Sequence, residues 1–231
     1  MSLPLFDGND EYFCVSSCHT KDDFYACKEK YFASFGVHPQ AVLGKKYSED
    51  DFYFLEKLIK ENKIVAIGEI GLDFFTSELK SKSSEQVEIF ERQLHLALEN
   101  SLPVVLHLRK SIEMIFTYSR LLSKLPSVVF HSFPGTAMEA ASLLNHKING
   151  FFSFGKPVLN GRKASVKCVK ELPLNRILLE TDAPYQTLKG EKFTNPGDIR
   201  KVYSAVSCIR NVSEEDISAQ IFRNFKQAYL I

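Results

Sequence analysis

At 231 residues and 45% apolar content the chain has the size of one packed domain, and α/β barrels reach this length as a single unit. A net charge of +1 excludes a global nucleic-acid footprint, so any grip on phosphate has to come from a local patch. The five cysteines are odd in number and lack zinc-ribbon spacing, no apolar run approaches a membrane span, and no signal-peptide core is visible; reduced thiols in a cytoplasmic protein without membrane contact are expected.

Pro4-Leu-Phe-Asp7 has the apolar character of a first strand. The next strand-like run begins at 12, and Gly8-Asn-Asp-Glu11 cannot supply the dozen residues that a parallel crossover needs. Asp7-Gly8 and Asn9-Asp10 are turn chemistry, so a hairpin or an irregular arm is expected at the start. Strand-like runs then fall at 12–17, 31–36, 64–69, 103–108, 127–132, 150–155 and 176–181. Helical patterns lie between most of them. Residues 48–62 begin with Ser48 and Asp51 in capping spacing and align Phe52, Leu55, Leu58 and Ile59. Residues 84–99 align Val87, Phe90, Leu94 and Leu98. Residues 136–146 open with Thr136-x-x-Glu139, and residues 213–229 open with Ser213-x-x-Asp216 and align Ile217, Ile221 and Phe225. Alternating strands and helices predict parallel βαβ units. The expected fold is α/β: a distorted TIM barrel of seven regular strands, its first strand–helix unit shortened or irregular, in a single domain spanning 1–231.

Four of the strands carry metal-capable side chains at their C-terminal ends. Ile64-Val-Ala-Ile-Gly-Glu69 ends on a carboxylate, which is costly in a buried strand without a partner or a metal. Val104-Val-Leu-His107 and Val128-Val-Phe-His131 end on histidines, and Ile177-Leu-Leu-Glu-Thr-Asp182 ends on an aspartate. Each alone has an ordinary explanation, as a hydrogen-bonded core histidine or a helix cap. Jointly they predict one site at the mouth of a barrel. Carboxylate and imidazole donors suit zinc, manganese or another divalent ion. Arg109, two residues beyond His107, shares its strand face and is placed to orient a phosphate or carboxylate. Lys156, Arg162 and Lys163 follow the strand at 150–155, and Lys189 and Lys192 follow Asp182. Loops after late barrel strands often hold phosphate, so these are candidate nucleic-acid contacts, or simply a solvated loop. His95 and His146 read as structural or solvent-facing, and Cys14 and Cys18 as small core residues.

The stretches Phe35-Gly-Val-His-Pro39, Ala66-Ile-Gly-Glu-Ile-Gly-Leu-Asp73, Leu102-Pro-Val-Val-Leu-His-Leu-Arg109, Phe130-His-Ser-Phe-Pro-Gly135 and Leu178-Leu-Glu-Thr-Asp-Ala-Pro-Tyr185, with Arg92-Gln-Leu94 and Asn224-Phe225, resemble the TatD-like metal-dependent deoxyribonucleases of the amidohydrolase superfamily. The resemblance runs from about residue 12 to the end. It implies a metal-dependent hydrolase that cleaves phosphodiester bonds, with DNA as substrate. It implies that Glu69 bridges two metals, that His107 and His131 bind one of them, and that Asp182 binds the other and takes the proton of the attacking water. His38 would sit near the scissile phosphate. Members of that family open with a His-x-His pair and a helix. Here Phe6-Asp7 is followed by Gly8-Asn-Asp-Glu11, so one bound ion (zinc, magnesium or manganese) is expected rather than two, with Asn9, Glu11 and His19 as candidate replacement ligands. The alternatives are a weakened relative that binds one metal or a phosphorylated ligand without turnover, and an amidohydrolase acting on a small amide or ester. No protein partner is inferable.

Overall fold

The computed structural model describes residues 13–27, 31–44 and 47–231. The expectations for residues 4–7, Asn9 and Glu11 lie outside the described residues. Seven strands, β1 (Val15–Cys18), β2 (Phe32–Phe35), β3 (Ala66–Asp73), β4 (Val104–Arg109), β5 (Val128–Phe130), β6 (Gly150–Phe154) and β7 (Ile177–Leu179), form one sheet in sequence order. Every neighbouring pair is parallel. Ten α-helices accompany them among the described residues: α1 (Lys21–Ala26), α2 (Glu49–Lys60), α3 (Ser77–Ser81), α4 (Ser83–Glu99), α5 (Ile112–Ile115), α6 (Ser119–Leu122), α7 (Ala137–Asn145), α8 (Lys163–Glu171), α9 (Ile199–Arg210) and α10 (Glu214–Tyr229). The sheet is a curled, incomplete α/β barrel, because no pairing joins β1 to β7 among the described residues.

Strand alternation divides the side chains between two cores. On β4, Val104, Leu106 and Leu108 point outward into the large cluster under the helices. Val105 points inward, and His107 and Arg109 follow it on the same face. Register carries this division across the sheet. Ala66, Val105, Val129, Phe151 and Leu178 make an inner layer, packed from below by Phe225, Ala228 and Tyr229 of α10. A buried Val, Leu or Phe contributes about 1.5–3 kcal/mol, so this apolar floor is firm ground for polar groups one layer higher.

Capping appears where the spacing predicted it, at Ser48/Asp51, at Thr136/Glu139 and at Ser213 before α10. The buried face of α4 is rotated from the expected one: it comprises Gln86, Ile89, Phe90, Gln93, Leu94 and Ala97, while Val87 and Leu98 are only partly covered. Two fully buried glutamines are tolerated there because each is spent on backbone. Gln93 accepts from Val37 N–H at 2.7 Å and donates to Val37 O at 3.1 Å. Gln86 accepts from Asp73 N–H at 2.8 Å and donates to Asp73 O at 3.0 Å. The helix thereby anchors the residue before His38 and the last residue of β3.

β3 is longer than the run at 64–69 and does not end at Glu69. Gly68 pairs with Val105 and Ile70 pairs with Leu106, so Glu69 is an extra residue opposite no partner. This bulge keeps Ile67, Ile70 and Leu72 in the outer core and turns Glu69 inward. Without it, strict alternation from inward Ala66 would send Glu69 outward and Ile70 into the barrel.

Candidate metal centre

Above the inner layer the described residues bound a cavity of about 2600 Å³. Glu69 is its focus. The carboxylate is buried, and one oxygen lies 4.0 Å from His38 Nε2, 3.8 Å from His107 Nδ1 and 3.9 Å from His131 Nε2. None of these contacts is short enough to be a hydrogen bond. The imidazoles nevertheless hold the Glu69 carboxyl down at about 2, against burial that would raise it. Asp182 joins from beyond β7, its Oδ1 3.5 Å from His131 Nε2. Burial pushes its carboxyl up to about 6; Glu180 and Glu69 add to the rise and His131 opposes it.

Hydrogen bonds behind the histidines assign their ring faces. His107 donates from Nε2 to Asp73 at 3.2 Å, which leaves Nδ1 as a lone pair facing Glu69. His131 donates from Nδ1 to Glu180 at 2.9 Å, which turns Nε2 toward Glu69 and Asp182. His38 is the reverse. It caps the turn Pro39–Val42 and its Nδ1 accepts from Gln40 N–H at 3.2 Å, so Nε2 carries the proton. Burial, then His107 and His19, lower its pKa to about 3, so it is neutral. His38, Glu69 and His107 bring donor atoms within 4.8 Å of one another, but His38 faces the group with an N–H rather than a lone pair. His131 is raised well above the ordinary value: burial works against this, and Glu180, Glu69 and Asp182 outweigh it. The negative field that favours a proton there equally favours a cation.

The remaining expected residues are distributed as follows. His19 lines the cavity 5.0 Å from the His38 ring, and its buried Nδ1 has no hydrogen-bond partner. Arg109 and Arg162 line the cavity and are exposed. Lys156 does not. It is fully buried, with its ammonium 2.6 Å from both Glu191 and Asp198, so the side chain ties the segment after β7 to the segment after β6. A buried ammonium already shared by two carboxylates has no face left for a backbone phosphate, and Lys156 is withdrawn from the substrate-binding group. Lys163, Lys189 and Lys192 are exposed and stand outside the cavity lining. His95 and His146 are exposed, each bonded to a helix carbonyl four residues earlier. Cys18 is buried in the outer core, and Cys14 is half-buried at the cavity wall.

Three further residues belong to this centre. Asp73 is fully buried; besides His107 it accepts from Gln40 Nε2 at 2.7 Å and from Phe75 N–H at 2.9 Å. It stands two residues after Gly71, which pairs with His107, a register that the bulge hides from the sequence. Gln186 donates to Asp182 at 2.8 Å and to Ser132 at 2.6 Å. Glu180 sits behind His131, and its Oε1 is buried without a partner.

The family described as TatD related DNase matches residues 14–230. An uncharacterized metal-dependent hydrolase of Bacillus subtilis is 31% identical over 205 residues, 87% of this chain and 78% of the relative. The 3'-5' ssDNA/RNA exonuclease TatD of Cronobacter sakazakii is 35% identical over 190 residues, 80% and 68% of the two chains. The crystal structure of a TatD homolog from Escherichia coli superposes with a TM-score of 0.83 at 24% identity, covering 94% of this chain and 86% of that one, a likeness of fold.

Proposed function

Since the chain belongs to the TatD related DNase family, we propose that it is a metal-dependent hydrolase of phosphodiester bonds in nucleic acid, working with one firmly held divalent ion. The donor set supports the metal. A buried carboxylate ringed by imidazoles at 3.8–4.0 Å, none close enough to hydrogen-bond, has room for a cation that satisfies them together. Glu69, His107 Nδ1 and His131 Nε2 would hold it, with Asp182 beside them. Asp73 and Glu180 fix the two imidazoles from behind. When bound, such an ion supplies Lewis acidity to a phosphate oxygen and makes a nearby water more acidic.

The other residues have separable tasks. Asp182, with its carboxyl near 6 and steadied by Gln186, suits acceptance of a proton from the attacking water near neutral pH. His38, neutral and presenting Nε2–H, donates to a non-bridging phosphate oxygen. Arg109 and Arg162, on the cavity wall, draw the phosphate backbone in. The five free cysteines suit the reducing cytoplasm.

The observation that carries this reading is the orientation of His107 and His131, whose Nδ1 and Nε2 atoms face one buried carboxylate while their other ring nitrogens are held from behind. The test is metal content per chain after purification without added metal, with hydrolysis of a single-stranded oligonucleotide in added Mg²⁺ or Mn²⁺. One ion per chain is expected, and His107→Ala should lose both the ion and the activity. Retained metal and turnover in His107→Ala would place the chemistry elsewhere. Two ions at full occupancy would bring His19 or another donor into the ligand set.

A further inference from the structure

Phe75 lies two residues beyond the end of β3, 45% exposed, at the cavity wall. It is held in place. Its N–H donates to Asp73, whose other oxygen holds His107, so one carboxylate spaces the ring from the metal centre. The Arg109 guanidinium stacks 3.5 Å over the ring, and Lys110 Nζ lies 4.7 Å from its centroid. Arg109 has no carboxylate partner among the described residues, so stacking orients the guanidinium while its in-plane N–H groups stay open. An oriented guanidinium with open donors is a phosphate fork, and an exposed ring beside it is a stacking face for a flat π-system.

We infer that Phe75 and Arg109 form a nucleotide subsite beside the metal centre, Phe75 stacking on an unpaired base and Arg109 gripping an adjacent phosphate of a single-stranded nucleic acid. This rests on the nucleic-acid reading above. A duplex keeps its base faces within its own stack and cannot use the ring. An acidic peptide would use the cations and leave the ring bare.

The experiment measures binding of a fluorescent single-stranded DNA oligonucleotide in chelator, so that no cleavage occurs, and of a matched oligonucleotide with abasic sugars throughout. Phe75→Ala should weaken binding of the normal oligonucleotide by about five- to a hundredfold, the range of one lost base–aromatic stack. It should leave abasic binding nearly unchanged, and Phe75→Tyr should restore the wild-type value. Equal loss on both oligonucleotides in Phe75→Ala, or no loss on either, would overturn the subsite. So would failure of Phe75→Tyr to rescue while its metal content stays at the wild-type level. Wild-type turnover of the oligonucleotide in added Mn²⁺ is recorded in parallel. Turnover with an unaffected Phe75→Ala refutes the subsite alone, whereas absence of both binding and turnover in the wild type refutes the nucleic-acid reading itself.

Discussion

Replacing Lys156 by methionine separates a structural cation from a substrate-binding one. The ammonium is fully buried and lies 2.6 Å from each of two carboxylates. Removing one partner of a buried pair costs about 3–5 kcal/mol, because the charges left behind are uncompensated. Two features pull the expectation to the lower end. Asp198 retains Lys201 at 2.7 Å, and Glu191 retains the Leu188 N–H at 2.8 Å. Methionine also nearly conserves the volume, so little cavity cost is added. A loss of about 3 kcal/mol would lower the melting temperature of a domain this size by about 6–12 °C. Acid should narrow the difference from wild type. The Asp198 carboxyl is held down to about 2 from an ordinary 3.8, so its share of the ion pair is complete above pH 3.8 and is lost as pH falls through about 2. The assay is urea or thermal unfolding of both proteins across pH, with oligonucleotide binding measured well below the transition. An unchanged midpoint together with weakened binding would refute this reasoning and return Lys156 to the substrate.

Asp73→Ala should weaken metal affinity by about 10- to 100-fold in chelator competition, as expected when the carboxylate orienting a ligand histidine is lost; wild-type affinity would mean that packing alone orients His107. Gly71→Ala should be strongly destabilising, by about 4 kcal/mol or more. Gly71 has φ +144°, and an added Cβ would run into the His107 carbonyl oxygen across the β3–β4 ladder. Soluble Gly71→Ala protein with a wild-type melting temperature would show that this ladder can open at little cost.

How much was legible in the sequence depended on whether a local rule was obeyed. β4 alternates without interruption, so His107 and Arg109 could be placed on one face from spacing alone. β3 does not alternate. A single inserted residue hid the length of the strand beyond Glu69 and with it the role of Asp73, whose partners Gln40 and His107 lie 33 and 34 positions away. Lys156 was misread for a related reason: Glu191 and Asp198 lie far along the chain, and an exposed loop lysine and a buried one look the same in sequence. The α4 stripe was shifted because two glutamines, polar by type, occupy its buried face as backbone clamps. Tautomers were out of reach altogether, since they follow from hydrogen bonds such as that from Gln40 N–H to His38.

The bulge at Glu69 makes the number of residues in β3, as much as their identity, part of the candidate metal centre. Outward positions such as Ile67 and Leu72 lie in the outer hydrophobic core, where similar apolar side chains would serve. With the bulge in place, one residue inserted between it and Asp73 would swing Asp73 to the opposite face. The contacts of Asp73 with His107 and Gln40 would disappear together while Glu69 kept its place. Chain length in this strand is therefore the more stringent constraint, one that tolerance to substitution alone would fail to reveal.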